Sequence, residues 1–242
     1  MATRSSSPVA PAVHGLGRLR FQSVPEAVAQ ELRDAIIGGK LKPGERLIEQ
    51  KLASSLGVGQ PTLREALKEL EYQGFVRKSP KKGTYVTLLS QKDFRNILEV
   101  RMALEIFAVE KAARNMTEAA AEEMEKIVKA MESAARTFDL ATFHKSDLAF
   151  HRKLWELTAN PYLGIALERV CFGLFAFVLL QRDPDATNEF VASARQHVQI
   201  LAGLRTGDPK RAREAFIQST LKFWNEYHQV SLELEVQKEN GP

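Results

Sequence analysis

Between residues 38 and 83, glycine and proline recur so closely that no long helix or strand fits between them. Gly38-Gly39, Pro43-Gly44, Gly57, Gly59, Pro61, Gly74, Pro80 and Gly83 cut the stretch into short pieces, each with its own periodicity. Upstream, Val24-Pro25 opens an amphipathic helix with Val28, Leu32, Ala35 and Ile36 at helical spacing, and Gly38-Gly39 ends it. Leu41-Lys42-Pro43-Gly44 reads as a turn and Arg46-Leu47-Ile48 as a short extended run. The pattern predicts a two-turn helix over 49–56, closed by Gly57, and a second helix over 61–72. Pro61 falls in the first turn of that second helix, where a missing N–H costs nothing. After Gly74, β-like runs at 75–78 and 84–88 flank a basic hairpin tip, Ser79-Pro80-Lys81-Lys82-Gly83.

A helix, two helices joined by a tight turn and a basic hairpin together make a winged helix-turn-helix, placed at 21–88. Charge agrees with that assignment. Residues 1–90 hold 14 Lys+Arg against 8 Asp+Glu, whereas 91–242 hold 20 against 22, so a basic front precedes a mildly acidic back. A basic front suits a polyanion. An α-helix fits the DNA major groove, with residues at its start on base edges and flanking cations on phosphates. The second helix would present Gln60, Thr62 and Arg64, while Lys81 and Lys82 extend the hairpin to a phosphate or the minor groove. Leu63, Ala66, Leu67 and Leu70 form the buried stripe behind them. The competing reading has Arg64 and Lys68 merely paired with Glu65 and Glu71 on a solvated surface.

The back half has helical periodicity throughout. Helices are expected at 91–115, 117–136, 139–158, 161–181, 186–205 and 208–235. The breaks fall at Asn115-Met116-Thr117, Phe138-Asp139, Asn160-Pro161, Asp183-Pro184 and Gly207-Asp208-Pro209. Six such helices suit an antiparallel bundle over 91–235, so the fold class is mainly α. Helix 161–181 is apolar nearly all round and is expected either at the bundle's centre or at a subunit interface. No apolar run is expected to span a membrane, and the first twenty residues, rich in Ala, Ser and Pro without an apolar core, read as a disordered arm. The single cysteine, Cys171, excludes an intrachain disulfide framework and Cys-rich zinc modules, fits a reducing cytoplasm, and belongs in packed core.

Polar residues at inward positions carry the chemistry of the bundle. Asp147 and His151 are four apart and share a helix face, a spacing that suits a carboxylate oxygen and an imidazole nitrogen on one metal. A bundle can bring His197 opposite them. The ordinary alternative for such a pair is a surface or capping role. His144 falls on the same face and is placed at the bundle's edge. Trp155, Trp224 and Tyr227 are packing residues, although Trp224 is near enough to Ser219 to line a pocket. His14 and His228 belong to no visible constellation.

The run from Leu32 to Val86, with its PGE-R-L, LA-LGV, REAL-LE and GFV…GTYV elements, resembles the DNA-binding domain of GntR-type bacterial transcriptional regulators. The resemblance implies a homodimer with one recognition helix per half-site of double-stranded operator DNA, and a wing whose glycine, here Gly83, approaches the backbone. Members of the FadR type carry Arg where this chain has Gln50, and Ser/Thr-Arg where it has Gly59-Gln60. Arg reads guanine whereas Gln reads adenine, so the operator is expected to differ from the common FadR-type one.

The EVRMALE, DLAFHRKL, LTANPYL, ARQHVQIL and GDPKRAREA segments resemble the FadR C-terminal ligand-binding (FCD) domain. That resemblance implies a divalent metal, zinc or nickel, held by one Asp and three His. It also implies a small carboxylate effector resting against the metal and an arginine. Asp147, His151 and His197 match three of the ligands and Arg101 the arginine. Asn160 is carried over as an effector-side residue. The fourth ligand position is Ser219, whose hydroxyl is a poor ligand, so water or the effector would complete a weakened metal site.

The expected function is a ligand-responsive regulator, on family grounds a repressor, in which an effector shifts the arrangement of the bundles about a hinge at 88–93. Two alternatives remain open. One is a constitutive DNA-binding protein with a purely structural, dimer-forming bundle. The other is a metal-dependent enzyme, which would need a general base where the Asp/His set leaves no spare Glu.

Overall fold

The computed structural model describes residues 23–180 and 186–228. The N-terminal arm, the break at 183–184 and the last helix beyond His228 lie outside the described residues.

The chain begins with α1 (Val24–Ile37), opened by a reciprocal cap in which Ser23 and Glu26 satisfy each other's backbone N–H. Strand β1 (Arg46–Leu47), α2 (Glu49–Ser55), α3 (Gln60–Tyr72), β2 (Val76–Ser79) and β3 (Gly83–Val86) follow. The strands form one antiparallel sheet in the order β1-β3-β2, with Arg46 opposite Tyr85 and Val76 opposite Val86. Leu63, Ala66, Leu67 and Leu70 of α3 are buried against α1 and the sheet, as their spacing required. The β2–β3 turn is closed by Lys82 N–H donating to the Ser79 carbonyl, with Lys81 left-handed (φ 62°) at its tip.

Ser90 and Asp93 cap α4 (Gln91–Arg114) reciprocally, so the non-helical joint, 87–90, is shorter than the expected hinge and stops where this helix starts. Helices α5 (Glu118–Thr137), α6 (Leu140–Glu156), α7 (Pro161–Leu180), α8 (Ala186–Arg205) and α9 (Pro209–His228) complete the bundle. Neighbours close a ring in the order α7-α4-α9-α8-α5-α6, and α4 also meets α6 and α8. Helix α7 is therefore a wall of the bundle, and α4 has the central contacts. The reason is that α7's apolarity is shared between two neighbours. Leu163, Leu167, Cys171 and Leu174 are buried in the bundle, while Phe172 and Gly173 meet the winged domain.

By length and composition, 161–178 is apolar enough to cross a membrane, contrary to the expectation that no run would be. Glu168 and Arg169 interrupt the run, but two charges do not offset so many large apolar side chains. The core-facing side of the helix is covered by protein.

The two halves touch directly. Tyr72 packs edge-on against Phe172, its hydroxyl donates to Glu168, and Phe75 meets His144 edge-to-face at 5.2 Å.

Candidate functional site

One surface and one cavity hold most of the chemistry the sequence singled out. On the winged domain, Gln50, Gln60 and Arg64 are exposed and Thr62 is half-buried, on the first turns of α2 and α3. Arg64 Nε lies 2.8 Å from Glu49 of α2, which ties the two helices together. This is a different acid from the Glu65 or Glu71 that the surface reading supplied; Lys68 pairs with Glu65. Lys81 and Lys82 are exposed at the hairpin tip. Gly83 has φ 105°, and a Cβ there would stand 3.4 Å from the Arg46 guanidinium. The wing thus gathers Arg46, Lys81 and Lys82 around a residue with no side chain, where a DNA backbone can approach closely.

Inside the bundle, Asp147 and His151 of α6 face His197 of α8, and their ligand atoms all lie within 4.8 Å of one another. Each of the three is at most 8% exposed. His197 Nδ1 donates to the Ser193 carbonyl (2.7 Å), an acceptor only, which leaves Nε2 to face the site. His151 Nδ1 lies 2.8 Å from a Glu105 oxygen, so its Nε2 also faces inward. The two Nε2 atoms are 3.3 Å apart, and Asp147 Oδ1 is 3.1 Å from that of His197.

Two imidazole lone pairs and a carboxylate oxygen converging in a buried place call for positive charge. Arg101 Nη2, 3.2 Å from His151 Nε2, supplies part of it, and a metal cation among the three groups would supply more. Behind the ring nitrogens stand a carboxylate and a carbonyl, the kinds of group that orient an imidazole ligand. The Ser193 carbonyl is hydrogen-bonded to His197, whereas Glu105 lies close to His151 Nδ1 without a formed hydrogen bond. The donor set, N, N and O, suits zinc or nickel. The residues present fit a divalent metal.

Arg101 and Glu105 sit against this cluster. Arg101 Nε is 2.6 Å from Glu105 and its Nη2 is 3.2 Å from His151 Nε2, with the guanidinium over the Phe175 ring at 4.8 Å. Trp155 Nε1 donates to Glu105 at 3.3 Å. Burial alone would raise the Glu105 carboxyl, but the charges of Arg101 and His151 outweigh it and hold its pKa at about 2. Burial lowers His151, and it pushes His144 down to about 4. Burial alone would raise Asp147, but His197 at 3.1 Å and the neighbouring His151 and His144 outweigh it and keep its carboxyl below the ordinary value.

The cavity beside these groups encloses about 40 Å³, room for roughly two or three waters, or an ion with a small ligand. Arg101, Asp147, His151, Ser193, His197 and Trp224 are among its walls. Asn160 and Ser219 are elsewhere. Asn160 Oδ1 accepts the Leu163 N–H at the start of α7, and the residue lines an open cleft beside Trp155. Ser219 is buried, with its hydroxyl donating to the Ala215 and Phe216 carbonyls of its own helix, and it lines a separate groove behind Gln196. A helical serine satisfies its hydroxyl locally and lacks the reach of an imidazole.

His144 is also misplaced by the sequence reading. It is 7% exposed, because Phe75 of the winged domain covers what would otherwise be the bundle's edge. Glu105 went without a role, although its signal was present: a carboxylate one turn after Arg101 among Met102, Ala108 and Val109. Besides Asp147, Glu189 is an acidic wall of the cavity. Carboxylates are thus present at the site after all, but Glu105 is tied to Arg101 and His151.

Residues 25–86 match the "Bacterial regulatory proteins, gntR family" and residues 96–219 match the FCD domain family. The chain is a GntR-family regulator with an FCD domain. Relatives agree along most of its length. The HTH-type transcriptional regulator YdhC of Bacillus subtilis is 30% identical over 81% of this chain and 85% of its own. The HTH-type transcriptional repressor NanR of Cronobacter sakazakii is 29% identical over 86% and 89%. The gluconate operon transcriptional repressor of Bacillus subtilis is 27% identical over 79% and 78%. Among solved structures, Escherichia coli McbR/YncC superposes with a TM-score of 0.65 at 23% identity, over 86% of this chain and all of that one, a likeness of fold. These GntR-family matches are regulators of transcription and not enzymes, and that holds for this chain.

Proposed function

We propose that this GntR-family protein is a homodimeric, ligand-responsive repressor whose FCD domain binds a divalent metal at Asp147, His151 and His197 and a small carboxylate beside it. The observation that carries the reading is the convergence of two inward Nε2 atoms and Asp147 Oδ1 in a buried cavity walled by Arg101. When bound, the metal supplies positive charge to which a carboxylate oxygen can coordinate. Glu105 and Ser193 orient the two imidazoles, and Arg101 offers a guanidinium to the carboxylate's other oxygen. The cavity's size favours a compact acid of few atoms. Asn160 and Ser219, carried over as effector residues, support the site from a distance at most, through the start of α7 and the packing of α9.

The DNA contacts follow from the exposed set: Gln50, Gln60, Thr62 and Arg64 toward bases, Lys81, Lys82 and the backbone at Gly83 toward phosphates. A second copy fits the outer face of α4 and α7. These helices pack together and leave Val100, Phe107, Tyr162 and Ile165 between 49% and 82% exposed, an apolar surface that a monomer has no use for. Residence in the cytoplasm goes with DNA as the target.

The test is binding to the promoter DNA of the protein's own gene, with zinc or nickel present or chelated, against a panel of small organic acids. Release by one acid in the metal-loaded protein supports the proposal. Binding that ignores both metal and acids would establish the constitutive alternative.

A further inference from the structure

His144 stands where the two halves of the chain meet, one turn ahead of Asp147 on the same face of α6. It lines the metal-site cavity, and it also lines the cleft between α1 and α6 that separates the winged domain from the bundle. The residue is 7% exposed, and its Nε2 has no hydrogen-bond partner. Burial keeps the ring neutral at ordinary pH. A buried, unpaired ring nitrogen carries a desolvation cost that an occupant able to hydrogen-bond to it removes.

The other side of the same ring leads to the DNA-binding unit. His144 packs edge-to-face on Phe75, which is itself 1% exposed. Phe75 N–H donates to Leu70 near the end of α3, and its carbonyl accepts from Thr87 just after β3. One residue thus joins the end of the recognition helix to the root of the wing.

We propose that His144 is a contact residue for the cavity's occupant and passes occupancy to the winged domain through Phe75. An occupant that hydrogen-bonds Nε2 selects one ring orientation. A ring held in a packed edge-to-face contact cannot turn without moving its partner. Phe75 in turn cannot move without shifting the end of α3 or the wing. Occupancy and wing position therefore share one free-energy balance, biased by whichever state the occupant prefers. The inference rests on the cavity being a metal and carboxylate site, and it goes beyond that reading by naming the residue that links the site to DNA.

The test uses the full chain with zinc and acetate as probes. It compares hydrogen exchange at amides 71–79 and 83–87 with and without the probes. Three proteins are measured: the natural one, His144→Phe, which keeps the aromatic edge and removes the nitrogen, and Phe75→Leu. Zinc affinity is measured in parallel. The natural protein should change exchange in these segments by about threefold or more and both variants should lose the response, while Phe75→Leu, which leaves the cavity lining intact, keeps zinc affinity within about threefold. A response retained in His144→Phe overturns the proposal, as does bound zinc without any response in the natural protein. Loss of zinc affinity by more than about tenfold in His144→Phe also overturns it, since that makes His144 a ligand instead of a relay. Absence of zinc binding in the natural protein removes the metal reading, and this proposal with it.

Discussion

Gly74 and Gly173 meet backbone to backbone: a Cβ on Gly74 would lie 2.4 Å from the Gly173 Cα, and Gly74 has φ +79°. The turn leaving the recognition helix is seated directly on α7, with the Gly74 carbonyl held by the Thr87 hydroxyl at 2.6 Å. Gly74→Ala combines a left-handed strain with a backbone clash and should destabilise the protein by about 2–4 kcal/mol. Urea unfolding followed at Trp155 and Trp224 reads the loss. A change below about 0.5 kcal/mol would show that the domains do not rest on this contact in solution.

Asp147→Ala and His197→Ala should each lower zinc affinity by about 100-fold or more, since each removes one of the three proposed ligands. Glu105→Gln, which loosens the support of His151 without touching the ligand set, should cost about 10–100-fold. Isothermal titration after chelation distinguishes the two classes. Glu105→Gln also leaves the buried Arg101 charge without its partner, so it should unfold more easily by about 3 kcal/mol or more.

His144 contributes a pH dependence of definite sign. Its folded pKa of about 4 lies below the ordinary 6.5, so between those values the unfolded chain binds the proton and the folded one does not. The contribution is complete above pH 6.5 and is lost as pH falls toward 4, by up to about 3 kcal/mol. His144→Phe should flatten this limb of the stability profile. An unchanged difference between pH 7 and pH 4.5 would argue that the ring is wetter than its burial implies.

On the DNA side, Lys81→Ala and Lys82→Ala should weaken binding to all sequences alike, each reducing the salt slope by about one. Gln60→Arg should instead change which base is preferred, by about 1–3 kcal/mol at one position. A binding-site selection with natural and altered protein settles that outcome; an identical consensus would remove Gln60 from the reading set.

The winged domain was legible nearly residue by residue because glycine and proline state their backbone demands locally. Its strands begin and end within a residue or two of the expected runs. The bundle's helices were legible for the same reason, through their caps and breaks. What could not be read was which helix covers which. His144 has the spacing of Asp147 and His151, but only the arrival of Phe75 from another domain decides whether it is edge or interior. Ser219 shows the converse. Its alignment with a ligand position was visible, whereas its hydroxyl's turn toward its own helix depends on a rotamer that sequence does not carry. Helix α7 invited a central place because it is apolar all round, yet that property equally suits a wall with a neighbour on each side.

Arg64 is held by Glu49 at 2.8 Å before any DNA arrives. A phosphate on arbitrary sequence offers this arginine one ionic contact in exchange for another, a nearly even trade. A guanine edge offers two coplanar hydrogen bonds, which the carboxylate of a neighbouring helix at a single 2.8 Å contact does not match. Under the proposed DNA contacts this pair would act as a latch on residence time. Arg64 would stay docked on α2 over arbitrary sequence, where the complex is short-lived, and would cross to a base edge it can read, where the complex lasts.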